Sequence, residues 1–73
     1  MEVKVGIQMA PRELVVETDF AATDIEQALA DALADNTVFK LKDTRGNTVL
    51  VPAAKVAYVE LGSAEPRRIG FGN

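Results

Sequence analysis

The chain opens on strict alternation. Val3, Val5, Ile7 and Met9 fall on one side and Glu2, Lys4, Gly6 and Gln8 on the other. A period of two marks a strand with one buried face. Residues 10–12, Ala-Pro-Arg, read as a turn, and Glu13–Glu17 returns as a second strand, so the two form a hairpin. Leu14, Val15 and Val16 make that second strand apolar on both sides. The period then changes. Ile25, Ala28, Leu29, Ala32 and Leu33 recur at helical spacing and make one apolar stripe, behind a Thr23-Asp24-Ile25-Glu26 run that fits a capping box. Asn36 suits the left-handed residue that ends a helix. The helix carries no basic residue, and Asp31 and Asp35 stand at its C-terminal end, where the macrodipole disfavours negative charge.

From residue 37 to residue 61 the period is two again. Val38–Lys42 sets Phe39 and Leu41 against Lys40 and Lys42. Asp43-Thr44-Arg45-Gly46 then puts Asp where a type I turn begins and Gly where a positive φ is needed, and residues 47–51 complete a second hairpin. Pro52 has no N–H to give a ladder and ends that strand. Residues 52–55 are too few for a stable helix and predict a single turn. Val56–Leu61 is the next strand, closed by Gly62. Residues 63–73, punctuated by Gly and Pro, read as an extended arm or, over residues 68–71, a short extra strand. The expected fold is a single α+β domain over residues 1–73. Its order is β-β-α-β-β-β, a mostly antiparallel sheet with one helix packed on one face.

A lone three-turn helix covers only one face of such a sheet. That face takes Val3, Val5, Ile7, Leu14, Val16, Phe39 and Leu41. Val15, Val38 and one of the sets Val49/Val51 or Thr48/Leu50 are left without cover. The last strand divides in the same way into Val56/Tyr58 and Ala57/Val59/Leu61. Apolar surface of this extent marks an interface. The chain has 73 residues, near the small end of what folds alone, and no cysteine to staple it, a setting in which oligomerisation commonly adds stability. The expectation is a homodimer or larger assembly, through the uncovered sheet face or an edge strand, with Val15, Val38, Leu50, Tyr58 and Phe71 as interface residues.

Composition narrows the chemistry. With no histidine and no cysteine, zinc sites of the usual kind, thiolate chemistry and His-based triads are excluded. Glu13 and Glu17 share a strand face but lack a companion His, Tyr or Lys at a recognisable spacing, and Asp19, Asp24 and Asp43 do not have calcium-loop spacing. The reading is therefore no enzyme, no metal and no cofactor. No apolar run reaches membrane-spanning length and the start of the chain lacks a signal-peptide layout, which makes the cytoplasm the expected location and a membrane partner unexpected. The net charge of −3 hides an asymmetry: residues 1–36 carry two bases against eight acids, residues 37–73 six bases against three acids. Such a split steers one copy onto another or orients a charged partner. Lys40, Lys42 and Arg45 form a small basic surface suited to weak nucleic-acid contact, opposed by the acidic balance of the chain. Arg67, Arg68 and Gly70 are the candidates for holding a small ligand or nucleotide at a subunit interface. The GxG over residues 70–72 has no helix behind it, however, and there is no P-loop.

Five segments, MEVKVGI, PRELVVET, DIEQALADAL, LKDTRGNTVLVPAAKVAYVELG and RRIGFG, together cover nearly the whole chain. In these it resembles a family of short actinobacterial proteins of uncharacterised function, a domain of unknown function whose members often carry the label "ATP-binding protein". The resemblance implies a cytoplasmic bacterial protein and brings no active-site residues with it. No adenine- or magnesium-binding signature in the sequence supports the ATP label. Three functions follow in order. The first is a non-enzymatic interaction or regulatory module that self-associates. The second is a small-ligand or nucleotide binder near the C-terminal tail, and the third a weak nucleic-acid contact protein.

Overall fold

The computed structural model describes residues 1–62 and 67–70, the last four as backbone. Strands β1 (Glu2–Ile7) and β2 (Glu13–Glu17) come first, then helix α1 (Ala22–Asp35), then β3 (Val38–Lys42) and β4 (Thr48–Pro52). A 3-10 turn at Ala53–Lys55 leads into β5 (Val56–Leu61), and β6 (Arg67–Gly70) follows. This is the α+β order read from the sequence, with the short extra strand present at residues 67–70.

The strands divide between two antiparallel sheets. β2-β1-β5-β6 form one four-stranded sheet, and β3-β4 form a separate hairpin. Local chemistry explains the division. Pro52 cannot donate, and the Ala53 amide turns back to the Thr37 carbonyl at 2.9 Å, which closes the open end of the hairpin. The 3-10 turn then hands the chain to the other sheet, where the Gln8 amide meets the Lys55 carbonyl at 2.8 Å. Helix and hairpin together cover one face of the four-stranded sheet. The core joins Ile25, Leu29 and Ala32 from α1, Phe39, Leu41 and Val51 from the hairpin, and Val3, Val5, Val16, Val59 and Leu61 from the sheet, all buried. The hairpin thus supplies the cover that the helix alone cannot, and Val49/Val51 is the set it turns inward.

Several details depart from the sequence reading. A register shift between Gly6 and Ile7 brings Ile7 opposite Val56 while Gly6 stays opposite Tyr58. This bulge changes the parity of β5, so Val56, Val59 and Leu61 are all buried and Val56 does not share a face with Tyr58. Met9 is not on the strand: it takes a left-handed φ of 61° in the turn and is fully exposed. The capping box does not form. Ala21, extended at ψ 153°, is the capping residue with no side-chain bond, and Thr23 lies inside the first turn. The Asp24 and Ile25 amides bond to the Ala21 carbonyl at 3.0 and 3.2 Å, which winds the helix before Thr23 can act as its cap.

The helix end follows expectation. Asn36 is left-handed at φ 55° and ψ 48°, its amide reaches the Leu33 carbonyl at 3.4 Å, and the Thr37 amide reaches Ala32 at 2.9 Å. That pair of bonds is the Schellman arrangement.

Candidate interaction surfaces

On the hairpin, the side chains that alternate with the core set point outward. Val38, Lys40 and Lys42 on β3 and Thr48, Leu50 and Pro52 on β4 are all exposed. The register places Val38 opposite Pro52 and Lys40 opposite Leu50, so Val38, Pro52 and Leu50 are mutual neighbours. Val38 is 47 % and Leu50 59 % exposed, an apolar patch flanked by two lysines. Among the described residues no carboxylate stands within ion-pair distance of either lysine.

The outer face of the four-stranded sheet is built differently. Lys4 stands in a row with Val15 and Glu60, its Nζ 4.0 Å from Glu2 Oε1 and 3.9 Å from Glu60 Oε1. Tyr58, half-buried, lies across Gly6, and its hydroxyl donates to Glu13 Oε2 on β2. One ring thereby straps three strands, and only glycine leaves it room: a Cβ at Gly6 would stand in steric overlap with Tyr58 Cε2. The Met1 amine sits 3.1 Å from Glu17 Oε2 and donates to the Thr18 carbonyl at 2.9 Å.

Strand β2 is an edge of this sheet, with no further described strand beside it. Met1 and Thr18 exchange both backbone bonds, each at 2.9 Å, so the alternation of an antiparallel ladder fixes which groups face β1. Val16 and Leu14 turn toward β1; Glu13, Val15 and Glu17 turn their N–H and C=O away from it. The Thr44 amide confirms this by reaching the Glu17 carbonyl from the free side at 2.9 Å. Beside the edge lies a cavity of about 410 Å³ lined by Val15, Val16, Glu17, Asp43, Thr44, Arg45 and Val49.

The far wall of that cavity is the hairpin loop. Asp43 holds it, accepting from the Arg45 amide at 2.9 Å, the Asn47 amide at 2.8 Å and Asn47 Nδ2 at 3.2 Å. These bonds, the Asn47 amide first, lower the Asp43 carboxyl below its ordinary value, with the Arg45 charge a smaller contributor. Gly46 completes the turn at φ +89°.

Of the expected interface set, Val38 and Leu50 meet on the hairpin. Val15, 59 % exposed, belongs instead to the β2 edge. Tyr58 is engaged in the strap, and Phe71 lies outside the described residues. Lys40 and Lys42 share the face with Leu50, whereas Arg45 sits in the loop. Arg67, Arg68 and Gly70 fall on β6, of which only the backbone is described.

Two features escaped the sequence reading. Leu14 and Phe20 are exposed. Thr18 is fully buried, its Oγ1 donating to the Lys42 carbonyl at 2.7 Å and accepting from the Phe20 amide at 3.1 Å, which fastens β2 to the hairpin. A threonine two residues ahead of an amide it can cap was the available signal.

Among the described residues no group of three or more His, Cys, Asp or Glu is placed to hold a metal ion, and no helix is long and apolar enough to cross a membrane. The architecture is that of a small α+β domain, two antiparallel sheets enclosing one helix-capped core. The chain belongs to the family described as "Protein of unknown function (DUF3107)", which matches residues 1–72. No curated protein matches it.

Proposed function

We propose that the chain is a non-enzymatic interaction module that self-associates through the outer face of the β3-β4 hairpin. One observation carries this reading: Val38, Leu50 and Pro52 lie together, exposed, on a face turned away from a core that is already complete. At ~25 cal/mol per Å², covering a few hundred Å² of such surface is worth several kcal/mol. Lys40 and Lys42 border the patch, and the outward side of α1 carries acids and no base, so two copies hold surfaces of opposite sign. The absence of histidine and cysteine from the sequence supports a non-catalytic role. A second reading, weak nucleic-acid contact, rests on Lys40 and Lys42 sharing that same face.

Sedimentation velocity over a concentration series separates the two. The expected outcome is a dimer or larger species at micromolar concentration that Leu50→Lys converts to monomer. A wild-type chain that stays monomeric throughout, yet binds a single-stranded oligonucleotide with salt-sensitive affinity, would transfer the surface to the second reading.

A further inference from the structure

Beyond the hairpin surface, we infer that the free edge of β2 accepts an extended, basic segment of a partner protein, which joins the four-stranded sheet as a further strand beside the hairpin loop.

The backbone provides the template. Glu13 and Val15 each present an N–H and a C=O on the side away from β1, and no described residue pairs with them. The Glu17 carbonyl is already taken by the Thr44 amide, so an added strand has a defined end at the loop. Main-chain bonds of this kind supply affinity in strand addition, and pockets for alternate side chains supply the choice of partner.

The side chains set what fits. Glu13 and Glu17 stand on the outer face to either side of Val15. A second copy's β2, docked antiparallel about Val15, would place Glu13 opposite Glu17 twice, and like charges directly opposed are destabilising. The same two acids favour a strand with Lys or Arg at those places and a small or β-branched residue between them. The loop wall adds one charge of each sign, Asp43 and Arg45, and the Asp43 carboxylate is turned onto its own loop amides. Glu17 shares its charge with the Met1 amine, whereas among the described residues Glu13 meets only the Tyr58 hydroxyl. The negative sign of the edge therefore rests chiefly on Glu13. On the inner face, Val16 and Val49 line the cavity and leave room for apolar side chains between the basic ones. The complementary pattern is basic, apolar, small, apolar, basic.

The probe is a terminally blocked Lys-Val-Thr-Val-Lys peptide titrated into the isotopically labelled chain. Saturable binding with slowed exchange of the Val15 amide is expected, and Glu-Val-Thr-Val-Glu should bind at least about tenfold more weakly. Methylating the central peptide nitrogen, which leaves the protein untouched, should abolish binding. Glu13→Lys with Glu17→Lys should invert the preference between the two peptides. Equal binding of both peptides, tolerance of the methylated nitrogen, or protection at Val38 and Leu50 instead of Val15 would overturn the inference. So would protection of Val15 that grows with chain concentration in the absence of peptide, because the occupant would then be a second copy.

Discussion

The two outward faces of this domain differ in how their side chains are employed. On the four-stranded sheet, Lys4 stands between Glu2 and Glu60, and the Tyr58 ring lies over Gly6 to reach Glu13. Polar groups there answer one another across neighbouring strands. On the hairpin, Val38, Leu50 and Pro52 are exposed beside two lysines with no described carboxylate within ion-pair distance of either. Both faces back onto the same core. The polar side chains described on the sheet's outer face find partners there, with Val15 exposed at its β2 edge, whereas the hairpin's two lysines find none among the described residues. Burial of the inner set accordingly says nothing about whether the outer set is idle, and a partner is to be sought where polar groups and apolar atoms lack internal company.

The sharpest way to break the comparison is to treat the hairpin's two faces separately. Phe39, fully buried, is its largest inward side chain, and Phe39→Ala should cost about 3–5 kcal/mol. A domain of this size has roughly 4–11 kcal/mol in all, so urea unfolding should show most of the stability gone. Leu50→Ala on the opposite face should stay within about 0.5 kcal/mol when measured in dilute monomer. A large loss at Leu50 would show that the outer set contributes to the monomer after all. A smaller effect tests the strap. Gly6→Ala should destabilise by about 1–3 kcal/mol because the new methyl displaces the Tyr58 ring and with it the bond to Glu13. The loss should shrink in a Tyr58→Ala background, a coupling read from a double-mutant cycle. Equal losses in both backgrounds would assign the effect to backbone strain.

How much of this was legible depended on how local the cause is. The bounds of β2, β3 and β5, the left-handed Asn36 and the positive φ of Gly46 each follow from a few adjacent residues, and the sequence patterns located them. The division into two sheets did not show, because it is decided by where the Ala53 and Gln8 amides find partners across the chain. Nor did the inward turn of Val56. One bulged position flips every later residue's face, and alternation alone carries no mark of it. Thr23 held the right letters for a capping box, but the Ala21 carbonyl had already collected the first helical amides. For the candidate surfaces the outcome was mixed. Val38 and Leu50 were readable as surplus apolar residues. The openness of the β2 edge depends on strand order, which no local pattern encodes.

The smallest effect concerns the loop that joins the open hairpin to the cavity beside β2. Asp43 holds that loop through the Arg45 and Asn47 amides, and these bonds favour the ionised carboxylate. The folded-state value lies below the unfolded one, which fixes the sign. The contribution is fully present above the ordinary carboxylate range and is lost as pH falls through that range toward the lowered folded value. Amide exchange corrected for its intrinsic pH dependence should therefore show the Arg45 and Asn47 amides losing protection over that acidic window while Val3 and Val59 in the sheet hold theirs. Asp43→Asn should remove the pH dependence and leave the loop at its weaker, acid-side protection throughout. A wild-type profile that stays flat through the window would mean that the Gly46 turn and the β3-β4 ladder hold the loop unaided, and the wall of the cavity would then be rigid whatever the charge on Asp43.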